Sequence, residues 1–275
     1  MVNVLLSFQR EKVISVAQSA RRMGLVVLTF GNFSLRDEET GYICITPSGM
    51  DYDELKPEDI VVVNRDGAVI DGRRTPSVET PLHCAVYRHR NDVFGVCHTH
   101  SVFATAWACC NVPFPVIVAE LAVLVGGRLD TAPYRPLGTP ELAEAVVKTL
   151  GVKHAVLMAN HGVVAWSHNS VEEAYWRIEI IEAYCRTLTV AVQLGKPLNT
   201  FTPGQLQDLL KIKQNLGFVD PRYGLKECEL CNNDEWRPGV TCQIPARETM
   251  LGLDPEAEEL VQAVTDQIVA RLKND

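Results

Sequence analysis

Apolar residues in this chain fall into two patterns. Between residues 8 and 23 they fall at Phe8, Ile14 and Ala17, the spacing of one helix face, and the segment closes on Gly24, a residue suited to ending a helix. Unbroken apolar runs follow at Leu25 to Phe30, Tyr42 to Ile45, Ile60 to Val63, Val93 to Cys97, and Ala155 to Ala159 continuing through Val163 to Trp166. Their length reads as short buried strands. Arg65-Asp66-Gly67 is a hairpin signal between two of them. Residues 171–194 carry the longest helical stretch. Beyond about residue 196 the pattern weakens: 200–254 is rich in turn formers, and 255–273 forms an amphipathic helix with Leu260, Val264, Ile268 and Leu272 four apart. The alternation predicts an α/β or α+β chain.

Composition narrows the class. A chain of 275 residues can bury one large core. A formal charge of −8 and a pI near 5.4 argue against a polyanion-binding surface, which needs clustered Lys and Arg, so no nucleic acid is expected. The first ten residues carry neither a basic segment nor a long apolar one, unlike a secretory signal. The longest apolar stretch, Val112 to Gly127, is broken by two prolines and Glu120 and is too short for a bilayer. A cytoplasmic protein that avoids membranes is therefore expected. In that compartment its nine cysteines stay reduced, most of them as small core residues. Cys228 and Cys231 with Cys242 offer three thiols and no fourth ligand nearby, so they are left out of the site.

The chemistry concentrates at strand ends. His98-Thr99-His100 closes the run beginning at Val93, and alternation along a strand turns both imidazoles to one face. Asn160-His161-Gly162 closes a second run and supplies a third imidazole. Upstream, Ser77 reads as a helix N-cap and Glu79 falls in the first turn of the helix that follows. Three histidines and one glutamate fill a tetrahedral zinc shell. Each residue also has a purely structural reading, as a polar strand end or as an acid favoured by a helix dipole.

The order of motifs resembles the class II aldolase and epimerase family, which includes L-fuculose-1-phosphate aldolase, L-rhamnulose-1-phosphate aldolase, L-ribulose-5-phosphate 4-epimerase and the non-catalytic adducin head domains. The matching segments are Gly31-Asn32-Phe33-Ser34, Ile45-Thr46-Pro47-Ser48-Gly49, Pro76-Ser77-Val78-Glu79, His98-Thr99-His100, Ala132-Pro133-Tyr134 and Asn160-His161-Gly162, spanning roughly residues 8–195. The resemblance implies a three-layer α/β/α fold whose central, mainly antiparallel sheet is flanked by helices. It also implies a catalytic domain over 1–199, with 200–275 as an extension packed on that domain or at an oligomer interface, and a homotetramer with active sites between subunits.

The activity implied is reversible cleavage of a ketose 1-phosphate, like L-fuculose 1-phosphate, to dihydroxyacetone phosphate and an aldehyde through a metal-stabilised enediolate. Glu79, His98, His100 and His161 would hold Zn²⁺, or Mn²⁺, Co²⁺ or Fe²⁺. Glu79 would double as the base that exchanges the enediolate proton, and Tyr134 would serve the C4 oxygen. Tyr223 stands as a second tyrosine. Gly31, Asn32, Ser48, Gly49, Ser77 and Val78 would cradle the substrate phosphate. The fuculose pattern has a hydroxyl residue where this chain has Val78, and a lost side-chain hydrogen bond there costs about 1–3 kcal/mol. Trp107, Glu120 and Arg135 are placed near the aldehyde end. Epimerases of the family carry Asp where this chain has Glu79, so the acid leans toward an aldolase over an epimerase or a related decarboxylase. An adducin-like binding module would have lost metal ligands, and all four are present.

Overall fold

The computed structural model of the protein describes residues 4–112, 115–125, 129–150 and 153–217. The chain divides into a compact unit, Met1–Tyr223, and a second, Gly224–Asp275. The second unit lies outside the described residues, as do Tyr223, the three cysteines 228, 231 and 242, and the helix expected over 255–273.

One eight-stranded sheet organises the first unit. Its strands are β1 (Gly31–Arg36), β2 (Ile43–Ile45), β3 (Val61–Val63), β4 (Val69–Asp71), β5 (Gly95–Thr99), β6 (Thr131–Ala132), β7 (Ala155–Met158) and β8 (Gly162–Ser167), in the spatial order β4-β3-β2-β1-β5-β8-β7-β6. All neighbours are antiparallel except the parallel pair β6 and β7. Helices α1 (Ser7–Arg22), α3 (Val102–Cys110) and α5 (Val171–Gln193) pack together on one face, and α2 (Thr80–His89) with α4 (Pro140–Leu150) on the other. The result is three layers, as the motif order implied.

The two covered faces explain why the strands read as unbroken apolar runs. Ile43, Ile45, Val96, Val156, Val164 and Trp166 form one core with Leu82 and Val86 of α2 and Leu142 and Val146 of α4. The intervening Phe33, Cys44, Cys97 and Ala165 are equally buried and belong to the opposite side of the pleat. Helix α5 turns a stripe of Val171, Ala174, Ile178, Ile181, Cys185 and Leu188 inward at alternating three- and four-residue spacing, and its N-cap Ser170 accepts a hydrogen bond from the Glu173 amide. The hairpin expected at Arg65-Asp66-Gly67 joins β3 to β4, with Gly67 at φ +85° donating its N–H to the Asn64 carbonyl at 3.0 Å. Residues beyond 199 begin with α6 (Pro203–Asn215), whose capping box joins Thr202 and Gln205 and which packs against the one-turn π-helix Leu121–Val125.

One predicted element is displaced. The run Leu25 to Phe30 is not a strand: Leu25 and Val26 are buried, but Val27, Leu28 and Phe30 are exposed on a tight turn closed by Phe30 N–H to the Val27 carbonyl at 3.1 Å, with Leu28 at φ +54°. The chain must reverse between α1 and the sheet, and apolar content does not distinguish that reversal from a ladder strand. Pairing starts at Gly31.

Candidate metal centre

The three histidines gather where β5 ends and β8 begins. In β5, His98 lies opposite Asn32 of β1 and Val164 of β8, on the same side of the pleat as Val96, and therefore faces the layer of α2 and α4. His100 stands just past the strand's end rather than on it. His161 lies in the turn between β7 and β8, after Asn160 at φ +55°, a left-handed conformation that asparagine tolerates. The imidazole centroids are 4.8, 4.9 and 4.9 Å apart, each pair edge to face.

Close main-chain approach makes this convergence possible. A Cβ on Gly162 would come within 2.4 Å of the Thr99 carbonyl and 3.0 Å of the His100 ring, so only glycine lets β8 pass there. On the far side of His100, Glu182 of α5 accepts the free amides of Phe103 and Ala104 at 2.9 Å each and caps α3. That pins the chain just after His100.

Glu79 completes the group from the N-cap of α2. Ser77 does not cap this helix as its position predicts; its hydroxyl accepts the Glu79 amide at 3.2 Å in the preceding turn, and α2 starts at Thr80 with Pro81 in its first turn. The Glu79 side chain leaves the helix end uncapped and turns to the histidines. Its Oε2 is 2.9 Å from His98 Nε2 and accepts Asn32 Nδ2 at 2.9 Å; its Oε1 is 3.2 Å from His161 Nε2. One ligand atom from each of the four residues lies within 4.8 Å of the others.

Proton positions show that this set fits a cation. His98 Nδ1 donates to the Val163 carbonyl at 2.9 Å, which turns Nε2 toward the group; Glu79 raises the pKa of this ring against its burial, and a cation would take the place of the proton on Nε2. That Nε2 faces His100 Nε2 at 2.9 Å and a carboxylate oxygen. Burial, then the charges of His98 and His161, pull His100 down to about 3 despite Glu79, so its ring is neutral. Glu79 Oε1 is buried within ion-pair distance of His161 yet makes no hydrogen bond. Burial pushes the Glu79 carboxyl up, but His98 and His161 together hold it well below the usual carboxylate range. Imidazole nitrogens turned toward one point, with a carboxylate oxygen that makes no hydrogen bond, are the donors a divalent transition metal takes.

The other predicted positions are distributed around this centre. Gly31 and Asn32 open β1 and are buried, with the Asn32 amide engaged by Glu79 and by His83. Ser77 is buried beside Glu79, while Ser48, Gly49 and Val78 are exposed. Tyr134 is exposed on the loop after β6, and that loop returns to α2 at Gly138, where an added Cβ would meet the Val78 carbonyl at 3.0 Å. Arg135 and Glu120 are exposed as well. Trp107 instead docks on α5, its Nε1–H donating to the Cys185 carbonyl and to Thr189 Oγ1. Sequence reasoning missed Ser34, His83 and Tyr87 behind Glu79. Their signal was periodic: His83 is four residues after Glu79 on one helix, and Ser34 two after Asn32 on one strand.

The profile of the Class II Aldolase and Adducin N-terminal domain matches residues 11–189. The chain is 37% identical over 194 residues to a 5-deoxy-D-ribulose 1-phosphate aldolase of Bacillus thuringiensis serovar kurstaki, covering 70% of this chain and 90% of that relative. It is 32% identical over 206 residues to an L-ribulose-5-phosphate 4-epimerase of Salmonella paratyphi B, covering 69% and 88%. Among solved structures, an L-fuculose 1-phosphate aldolase superposes with a TM-score of 0.72 at 31% identity, over 79% of this chain and all of that one.

Proposed function

Since the chain belongs to the class II aldolase and adducin N-terminal domain family, and is on that footing a carbon–carbon lyase, we propose that it cleaves a ketose 1-phosphate reversibly to dihydroxyacetone phosphate and an aldehyde. The observation that carries this reading is the convergence of Glu79, His98, His100 and His161 on one point. These four residues would hold the metal, and zinc suits a set of three imidazoles and one carboxylate. When bound, the cation supplies Lewis acidity to the ketone and hydroxyl oxygens of the substrate.

The chain's own residues do the rest. Glu79, held at Oε2 by Asn32, has Oε1 available to take and return the proton at the carbon next to the ketone. Tyr134, on the loop that meets Val78 just ahead of α2, moves a proton at the C4 oxygen. Gly31, Asn32, Ser48, Gly49, Ser77 and Val78 bind the phosphate through main-chain amides and small hydroxyls at the entrance to α2. The sugar favoured by the relatives is a 5-deoxypentulose 1-phosphate, with L-fuculose 1-phosphate next. A second reading is the 4-epimerase, which uses the same cleavage and is favoured by the 32% identical relative; Glu79, where epimerases have Asp, weighs against it. The enzyme works in the cytoplasm as a homotetramer, with residues 1–199 as the catalytic domain and 200–275 as its extension.

The test is metal analysis followed by a panel of ketose 1-phosphates assayed for both products. Release of dihydroxyacetone phosphate and aldehyde at a chelator-sensitive rate supports the aldolase. Inversion at C4 without release, of a panel member or of L-ribulose 5-phosphate, moves the assignment to the epimerase, and no turnover of either with metal bound refutes both.

A further inference from the structure

Behind Glu79 runs a chain of buried polar groups linking α2 to β1. Asn32 Nδ2 is 2.9 Å from Glu79 Oε2, Asn32 Oδ1 is 2.6 Å from His83 Nε2, His83 Nδ1 is 2.6 Å from Ser34 Oγ, and Ser34 Oγ is 2.8 Å from the Tyr87 hydroxyl. Tyr87 also lies 3.1 Å from the carbonyls of Ser34 and Phe94. Ser34, His83 and Tyr87 are fully buried, and Asn32 and Glu79 are 4% exposed.

The inventory of donors and acceptors leaves one way to place the protons. An ionised carboxylate only accepts, so Asn32 presents its NH₂ group to Glu79 and its carbonyl oxygen to His83. That oxygen also only accepts, so His83 Nε2 carries a hydrogen. A fully buried imidazole bonded to no acid is neutral, and Nδ1 is therefore bare. Ser34 must then donate its single hydroxyl proton to Nδ1. With that proton committed, the Tyr87 hydroxyl can only donate to its surroundings, and its one proton is shared among Ser34 Oγ and the carbonyls of Ser34 and Phe94. From Ser34 through His83 and Asn32 to Glu79, every hydrogen bond points the same way.

We infer that His83 is a positioning residue for Glu79: locked as the Nε2–H tautomer by Ser34 and Tyr87, it fixes the Asn32 amide so that Glu79 Oε2 is held and Oε1 stays free on the side of His161. A flipped amide would set a carbonyl oxygen 2.9 Å from the carboxylate and drive Glu79 off its rotamer. The consequence for turnover rests on the aldolase reading; the consequence for metal binding does not.

The full-length protein labelled with ¹⁵N-histidine tests this through long-range proton–nitrogen correlation spectra at neutral pH. The chain has seven histidines, and His83→Gln identifies the His83 signals. A neutral Nε2–H ring is expected; an Nδ1–H or doubly protonated ring overturns the inference. Cobalt titration, read by visible absorption, gives a second measure. His83→Leu should weaken Co²⁺ binding about 10- to 100-fold, the usual effect of losing an outer hydrogen-bond partner. His83→Gln, whose amide still donates toward Asn32, should restore most of that loss. Wild-type affinity in His83→Leu overturns the inference. If His83→Leu does not fold, the wild-type tautomer still decides the matter. The expected tautomer and cobalt affinities with no cleavage of any ketose 1-phosphate would retire the aldolase reading and leave His83's role intact.

Discussion

At Glu79 two roles meet in one side chain, and substitutions separate them. Glu79→Gln keeps one oxygen, which can face the cation only by turning its NH₂ group toward the Asn32 amide, and it loses the base, so metal content should stay appreciable while turnover falls by about 100-fold or more, the usual worth of a general base. His98→Ala removes a nitrogen that nothing nearby replaces, and metal analysis should find the protein largely depleted. Wild-type turnover in Glu79→Gln would defeat the base assignment. Gly162 matters for a different reason. Gly162→Ala puts a methyl 2.4 Å from the Thr99 carbonyl, and β8 must move off β5 to relieve it. Overpacking of this kind costs about 1–3 kcal/mol, so the urea midpoint should fall, and metal affinity with it because His98, His100 and His161 straddle the glycine.

Among the elements, α5 is the support on which the strand ends rest. It lies against β5 and β8, and through Glu182 it caps α3, the helix that begins just after His100. Its own start depends on Ser170, whose hydroxyl accepts the Glu173 amide at 3.2 Å. Ser170→Ala should lower stability by about 1 kcal/mol in denaturant titration without changing metal stoichiometry. Helix α1 is anchored differently: the buried Arg10 guanidinium donates to the Pro57 carbonyl at 2.9 Å and pairs with Asp71 of β4, tying the helix to the edge of the sheet. Removing Arg10 strands buried carbonyls, and the loss belongs to this edge rather than to the metal centre.

For the whole molecule, acid should act through a buried neutral histidine. Burial, then the charge of His98, pulls His83 down to about 3, with Glu79 opposing, whereas an unfolded histidine titrates near 6.5. The folded value is the lower one, so the unfolded chain binds a proton first as pH falls. Stability from this group is therefore complete above about pH 6.5 and is lost between there and about pH 3, at up to about 1.4 kcal/mol per pH unit. Urea unfolding of metal-free wild type and His83→Gln across this range should show the steeper acid loss in the wild type; parallel curves would contradict it. Among the described residues no helix is long and apolar enough to cross a membrane, and four of the six described cysteines are buried, in line with small core residues.

Much of this architecture is legible in the order of residues alone. The 3.6-residue period locates α1 and α5 and unbroken apolar runs locate most strands, because burial on one face or two is written into local composition. The ligands Glu79, His98, His100 and His161 stand out by residue type at strand and helix ends, and the order of short motifs points to the family. Three things required the folded chain. The run Leu25 to Phe30 had to be seen as a turn, since strand pairing depends on distant partners. Ser77 had to be seen bonding one turn ahead of α2. The set Ser34, His83 and Tyr87 had to be assembled from α2 and β1, 49 to 53 residues apart in sequence. Hydrogen-bond direction is a property of the assembled network, and no local pattern carries it.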